Sequence, residues 1–434
     1  MNKRTYKIGE LSTLLKRGIT PSYTHEHLVK VVNQKCIRSF QVNLDLARYT
    51  DPVKKNISDE KYLKNFDVLV NSTGVGTLGR VAQIFEINQP TTADSHVTII
   101  RPNQKIVDPL YFGYCMKSIQ KKIELLGEGS TGQTELSRIL LSDVEIDIIE
   151  NIEQQRIVGE FLKVIDTKIE LNQQMNETLG DMGKTIFKSW FIDFEPVRAK
   201  AEGRPTGLSD KISELFPDSF ENSEFGKIPS GWKVRKVSEN FETILGGTPA
   251  RKNKEFWQGN LGWINSGKLN DFPLNTASEY ISEDAVQKSS TKLANRKSTL
   301  IGLVTEMGNG LITFLDEEFY VNQSVVSIQP NSNIFPEYVY LYLKANSRRL
   351  YSEQSGGAQQ HINKGIVNNF KILLPDTNCL SKISYYFESI FSKICTNSRE
   401  NLILENLRDT LLSKLISGEL KIPDAKNFIE ETSI

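Results

Sequence analysis

Apolar residues recur along the chain in two kinds of pattern. Short runs rich in valine, isoleucine and leucine read as strands: FDVLVN (66–71), STLIGLV (298–304), VEIDII (144–149) and FKILLP (370–375). FDVLVN and STLIGLV each lead through a glycine turn into a further apolar run, RVAQIFEI or LITFLDEEFYV, read as the next strand. Two long segments instead repeat apolar positions every three or four residues. The first steps through Ile157, Phe161, Val164, Lys168, Asn172, Met175, Leu179, Met182 and Ile186. The second steps through Ile383, Phe387, Ile390, Ile394, Asn397, Asn401, Leu404, Leu407, Leu411 and Leu415. Such seams are coiled-coil-like. No proline interrupts 152–190 or 380–416, and a 38-residue helix at 1.5 Å per residue is a rod of about 57 Å. The aromatic segments LYFGYCMKSI (110–119) and EYVYLYLKAN (337–346) read as short amphipathic helices.

The pattern occurs twice. Thr20–Pro21 returns as Thr248–Pro249, and HVTIIRP, ending at Pro102, returns as VVSIQP, ending at Pro330, both shifted by 228. GEGSTGQTEL, through Gln133 and Leu136, returns as EQSGGAQQHI, through Gln359 and Ile362, shifted by 226. Ile157 and Phe161 return as Ile383 and Phe387 at the same 226. An offset held at 226–228 over these features makes the chain two copies of one plan, an α/β block of about 150 residues followed by a long helix. The expected fold is α+β. Two similar α/β domains are separated by two long antiparallel coiled-coil-like helices in a pseudo-two-fold internal repeat. The boundaries are 1–150, a first domain; 151–190, a central helical spacer; 191–229, a mostly irregular connector strap rich in proline; 230–376, a second domain; 377–420, a distal helical spacer; and 421–434, a tail. On the helices, Phe161, Ile165, Leu179 and Ile186 are expected to face Phe387, Ile394, Leu404 and Leu411 as a group. Asn172, Asn397 and Asn401 at seam positions would fix register at some cost in stability.

The 434 residues allow two to four domains, and 38% hydrophobic with 24% charged residues is a globular composition. No apolar run is long enough for a membrane span, and MNKRTYKIGELST lacks the apolar core of a secretory signal. Four scattered cysteines fit a reducing cytoplasm and disfavour a disulfide framework. His25 and His27 flank Glu26, but no further ligands cluster near them. The net charge is zero, yet its distribution is uneven: residues 1–150 carry +3, 225–375 carry +4 and the remainder −7. Two mildly basic blocks suit binding to a polyanion, which needs only a local positive surface.

Two motifs suggest nucleotide chemistry and fall short of it. Gly74-Val75-Gly76-Thr77-Leu78-Gly79 is a literal G-x-G-x-x-G, but a strand-like run follows where a phosphate-binding helix is needed. Gly262–Lys268 approaches a phosphate-cradling loop, but Leu269 replaces the hydroxyl that would hold magnesium. There is no nucleophile elbow and no methyltransferase Asp/Asn-Pro-Pro-aromatic loop.

The repeat plan, together with WFIDFEPVRAKAEGRPTGL (190–208) closing the first helix, resembles the specificity subunit of Type I restriction-modification systems. IPSGWKV (228–234), GTP…FWQGNLGWINSGKLND (247–271), NSTGVGTLGR (71–80), EQQRIVGEFLKVIDTKIELNQ (153–173) and LRDTLLSKLISGEL (407–420) carry the resemblance over nearly the whole chain. It implies two target-recognition domains, each reading one half of a bipartite, asymmetric double-stranded DNA site. It also implies helices that pair antiparallel as a spacer and dock two modification (methyltransferase) subunits, which are joined by restriction (endonuclease/translocase) subunits. The subunit would be non-catalytic and cytoplasmic, with no membrane partner. It would hold no cofactor or metal itself, while its partners use S-adenosylmethionine, ATP and Mg. An orphan DNA-binding or scaffolding protein and a nucleotide-binding enzyme are the rival classes.

DNA contacts are expected from loops carrying cations and amides. In the first block these are Thr73, Arg80, Gln133 and Thr134. In the second they are Arg251, Lys252, Lys254, Asn265, Ser266, Lys268, Gln359, Gln360, His361 and Lys364. The loop glycines, Gly74, Gly76 and Gly79 among them, are expected to be turn formers.

Overall fold

The computed structural model describes residues 2–127, 135–303, 311–352, 362–417 and 419–420. They divide into two compact units. One is built on residues up to Ile169 together with residues from Ile403, the other on Glu170–Leu402.

In the first unit, strand Lys3–Lys7 pairs antiparallel with Glu145–Ile149, so the two ends of the block meet. An antiparallel sheet follows in the order Ser12–Arg17, Val97–Pro102, Val68–Asn71, Val81–Gln83. Every residue of Val68–Asn71 and Val81–Gln83 is buried. A strand covered on both faces reads as a continuous apolar run, which is why FDVLVN was legible. A second sheet has the order Thr91–Ala93, Val29–Val32, Arg48–Thr50, Tyr23–Thr24, with its first two strands parallel. Helix Pro109–Ser118 is capped by Asp108, whose carboxylate accepts from Tyr111 N, and proline opens its first turn.

The second unit repeats the terminal strand pair and the antiparallel sheet, and varies the other sheet. Strand Lys233–Lys236 pairs with Lys371–Leu374. An antiparallel sheet runs Thr243–Leu245, Val325–Ile328, Thr299–Gly302, Ile312–Phe314. A second runs Glu279–Ile281, Leu261–Ile264, Phe319–Val321, Lys292–Ala294, again with one parallel pair, Leu261–Ile264 against Phe319–Val321. The run LITFLDEEFYV is thus two strands in different sheets. Helix Pro336–Ala345 stands where Pro109–Ser118 stands in the first copy.

The long helices are Ile152–Phe191 and Thr377–Ser417, and each contributes to both units. In the first unit, Val158, Leu162, Ile165 and Ile169 share one core with Leu404, Leu411, Leu412 and Leu415, with Phe161 packed at its edge. In the second, Phe187, Trp190 and Phe191 share a core with Phe387, Phe391, Tyr338 and Trp232, with Ile186 at its edge. Ile394 is fully buried and Leu179 half-buried.

Three sequence expectations are corrected. Part of the seam of the first helix lies one position from its expected place: Ile157, Val164, Met175 and Met182 are exposed, while Val158, Leu162 and Ile169 are buried beside the expected Ile165 and Asn172. Two adjacent apolar stripes follow the same three-four spacing, and spacing alone does not choose between them. The short aromatic helices are not amphipathic: Tyr111–Met116 and Glu337–Leu343 are buried without a break, since sheet and long helix cover them from several sides. The connector 191–229 is also not irregular. It forms helices Glu195–Ala201 and Asp210–Ser213 and a hairpin of Phe220–Ser223 with Gly226–Pro229. Pro196 sits in the first turn of a helix and Pro229 at the end of a strand, while Pro205 and Pro217 stand between elements. Phe216 is buried against Trp190, their ring centroids 5.6 Å apart.

Candidate nucleic-acid interface

The glycine motif of the first block is the turn of a hairpin. Val68–Asn71 and Val81–Gln83 pair antiparallel on either side of it, and Gly74, Gly76 and Gly79 all have positive φ (103°, 72° and 81°). Glycine adopts these angles without penalty. No helix follows to present N–H groups to a pyrophosphate. Arg80 Nη2 donates to Gly76 O at 2.8 Å and so braces its own turn. Thr73 Oγ1 accepts from Gln34 Nε2 at 2.6 Å and lies 2.8 Å from His96 Nδ1. Thr73 also bridges to Glu135, which brings the turn beside the segment that leads into helix Arg138–Asp143. Gln133 and Thr134 lie outside the described residues.

In the second block, Arg251 is held on both sides. Nη1 and Nη2 donate to the two carboxylate oxygens of Glu279 at 2.6 and 2.8 Å, and the guanidinium sits 3.6 Å from the centre of the Trp257 ring. Glu279 raises the Arg251 pKa above its ordinary value, and Arg251 in turn lowers that of Glu279. Arg251 therefore stands as a strut, and Lys252 and Lys254 beside it are exposed. Asn265 caps the 3-10 turn Ser266–Asn270 by accepting from Gly267 N, and Lys268 Nζ reaches Asp271 Oδ2 at 2.7 Å. The near-phosphate loop is thus a strand end and a short 3-10 turn, with Trp263 and Leu269 in cores. Lys364 opens helix Lys364–Asn369, which Asn363 caps. Gln359, Gln360 and His361 lie outside the described residues.

A basic cleft that no sequence motif indicated lies in the first unit. It measures about 670 Å³, and Lys16, Arg17, Lys61 and Arg138 line it with Glu135. These residues come from strand Ser12–Arg17, the turn Asp59–Lys61 and the start of helix Arg138–Asp143, which only the tertiary fold brings together. Arg17 Nη2 donates to Leu136 O at 2.9 Å and pairs with Glu135 at 2.8 Å; Lys61 Nζ donates to Gly18 O at 2.9 Å.

Polar side chains also meet along the long helices. Asn172 Nδ2 donates to Asn401 Oδ1 at 2.9 Å and to Glu400 Oε2 at 2.8 Å. Asn397 Nδ2 donates to Asn176 Oδ1 at 2.9 Å, and Asn176 Nδ2 to Ile394 O at 3.2 Å. Asn176 was missing from the expected seam; it lies four residues after Asn172. In the first unit Arg408 Nη1 pairs with Asp166 Oδ1 at 2.6 Å, and Tyr114 Oη donates to Asp166 Oδ2 at 2.7 Å.

The two blocks share the strand order of their antiparallel sheets, while their second sheets differ at the edges and their exposed loops differ in sequence. A family model described as Type I restriction modification DNA specificity domain matches residues 2–180 and again residues 229–406. The chain belongs to that family, whose role is that of a DNA specificity subunit and is not catalytic. The two match starts, 2 and 229, lie 227 residues apart, between the 226 and 228 of the internal repeat. The Type I restriction enzyme HindI specificity subunit of Haemophilus influenzae is 27% identical over 407 residues, covering 83% of this chain and 88% of that one. The MjaIX specificity subunit of Methanocaldococcus jannaschii is 26% identical over 391 residues, covering 88% and 86%. Among solved structures, a Type I restriction-modification S subunit from M. genitalium aligns over 96% of both chains with a TM-score of 0.54 at 16% identity, a likeness of fold. Among the described residues no helix is long and apolar enough to cross a membrane.

Proposed function

We propose that each block reads one half of a bipartite, asymmetric target in double-stranded DNA, and that the two long helices set the spacing and dock two modification subunits. The observation that carries this reading is the double family match on two blocks whose antiparallel sheets have the same strand order and whose loops differ in sequence. Unlike loops on like scaffolds read unlike half-sites. Antiparallel helices are supported by residue pairs that run in opposite directions, 172 with 401 and 176 with 397 in one unit, 166 with 408 in the other. An antiparallel pair gives a repeat approximate two-fold symmetry, as a dimer has on a palindrome.

The domain boundaries follow the repeat: recognition blocks 1–150 and 230–376, spacers 151–190 and 377–420, and the strap 191–229 between them. In this reading the chain works in the cytoplasm and binds no cofactor. S-adenosylmethionine, ATP and Mg serve adenine methylation and ATP-driven translocation and cleavage by the modification and restriction subunits. The test is exchange of residues 225–375 for the equivalent block of a relative, read by sequencing methylated DNA from the host. One half-site should change and the other stay. A change in both would overturn the independence of the blocks.

A further inference from the structure

We propose that the basic cleft of the first unit grips the DNA phosphate backbone through Arg138 and Lys16, a grip that the second block carries only in part. The proposal rests on the reading of the chain as a DNA specificity subunit and adds residues that reading does not name.

Four cations line the cleft with the carboxylate of Glu135, and Glu60 beside Lys16 adds a second, which still leaves the cleft positive. Arg17 and Lys61 spend their donors on backbone carbonyls and hold the walls together. Arg138 is exposed and, among the described residues, has no ion-pair partner. Lys16 pairs with Glu60 at 2.7 Å, but both side chains are nearly half exposed, at 46% and 44%. An ion pair so open to water is weak and exchanges readily for a phosphate. Clefts lined by one sign of charge concentrate the opposite charge, and a duplex backbone is the densest such partner.

The internal repeat supplies a comparison within the chain. Strand Ser12–Arg17 pairs with Val97–Pro102 so that Lys16 faces Ile99 and Arg17 faces Thr98. In the second copy the same register places Ile244 opposite Ser327 and Leu245 opposite Val326. Two of the four cations are therefore replaced by apolar residues in the second block. Arg138 is not: Lys364, 226 residues later, opens the matching helix Lys364–Asn369. A cation kept at that position in two otherwise divergent copies suits a contact with the one feature both half-sites share, the sugar-phosphate chain. Lys16 then gives the first block the firmer electrostatic hold.

The test uses the full chain co-expressed with its modification subunits, and duplexes that carry or lack its methylated target. Affinity is measured as a function of salt. Each lost phosphate contact should make the slope of log K against log[salt] shallower by about 0.9. Arg138→Ala should lower affinity several-fold for both duplexes, flatten the slope by about that amount and leave the ratio between duplexes unchanged. Lys16→Ala should add a second, similar decrement, and Arg138→Lys should restore most of the first. Lys105→Ala, an exposed lysine outside the cleft, should change nothing. Matching thermal melts exclude misfolding as the cause. Unchanged slopes in both alanine variants would overturn the proposal while leaving the specificity reading intact. Relaxed sequence preference in Arg138→Ala would mark it as a base contact and overturn the phosphate assignment. A wild-type complex that does not discriminate the duplexes would overturn both.

Discussion

Asn172 donates its Nδ2 to Oδ1 of Asn401 at 2.9 Å, with both side chains buried on helices more than 220 residues apart in sequence. Asn397 and Asn176 make the same kind of bond one turn away. A buried amide in an apolar seam is favourable only where its partner stands opposite, so such pairs specify register. Removing one partner should cost about 1–3 kcal/mol through the stranded amide, whereas replacing both should cost much less. A double-mutant cycle with Asn172→Leu and Asn401→Leu, read by urea unfolding, should show coupling of about 0.5–3 kcal/mol. Purely additive losses would mean the pair does not act as one unit.

A second tie fixes the first block. Asp67 is fully buried and accepts from Arg101 Nε and Nη2, both at 2.8 Å. Burial raises the Asp67 pKa, and Arg101 opposes the rise. In the second copy the positions are Ser298 and Gln329, whose Oγ and Oε1 lie 3.0 Å apart. The same joint is charged in one copy and neutral in the other. Arg101→Met should therefore destabilise by about 3–5 kcal/mol, because it leaves a buried carboxylate unpaired. Gln329→Met should cost less, about 1–3 kcal/mol. Equal losses would show that charge is not what matters at the joint.

The ammonium of half-buried Lys117 is enclosed beside Arg408, 3.6 Å from Asp409 Oδ1 and 5.0 Å from the centre of the Phe40 ring. Burial, and then the Arg408 charge, push its pKa down to about 8. Between about pH 8 and the unfolded value near 10.5, the unfolded chain binds more protons, so this group makes stability rise with pH. Below pH 8 its full cost, at most about 3 kcal/mol, is present. Lys117→Met should accordingly raise stability at pH 7, and the gain should shrink as pH approaches 10. A gain independent of pH would assign the effect to packing alone.

The spacer reading makes a prediction of its own. Four residues inserted after Asn172 add about one turn and about 6 Å, nearly two base-pair steps. The half-sites should persist while the gap between them grows by one or two base pairs. One or two extra residues should instead rotate the seam by about 100–200° and destabilise the pairing. A four-residue insertion that leaves the gap unchanged would mean the helices do not set it.

The strands buried on both faces and the two long helices were legible because continuous apolar runs and three-four spacing survive without tertiary context. The phase of the first helix was not: Ile157 and Val158 are both apolar, and only packing decides that Val158 is buried. The strap was hidden because its prolines look like breakers, although Pro196 sits in the first turn of a helix. Among candidate contacts, lysine-rich loops such as Lys252–Lys254 stood out in sequence. Lys16, Lys61 and Arg138 did not, because only the tertiary fold joins a strand, a turn and a helix start into one cleft. Arg251 looked like a free cation, and only the structure shows it clamped between Glu279 and Trp257.

The most direct measurement is the methylome of a host carrying this chain with its modification subunits. The expected result is adenine methylation in a single motif made of two different half-sites, separated by a gap of fixed length and free sequence. A continuous motif, a palindrome of identical halves, or no methylation dependent on this chain would contradict the reading of two unlike recognition blocks on one spacer.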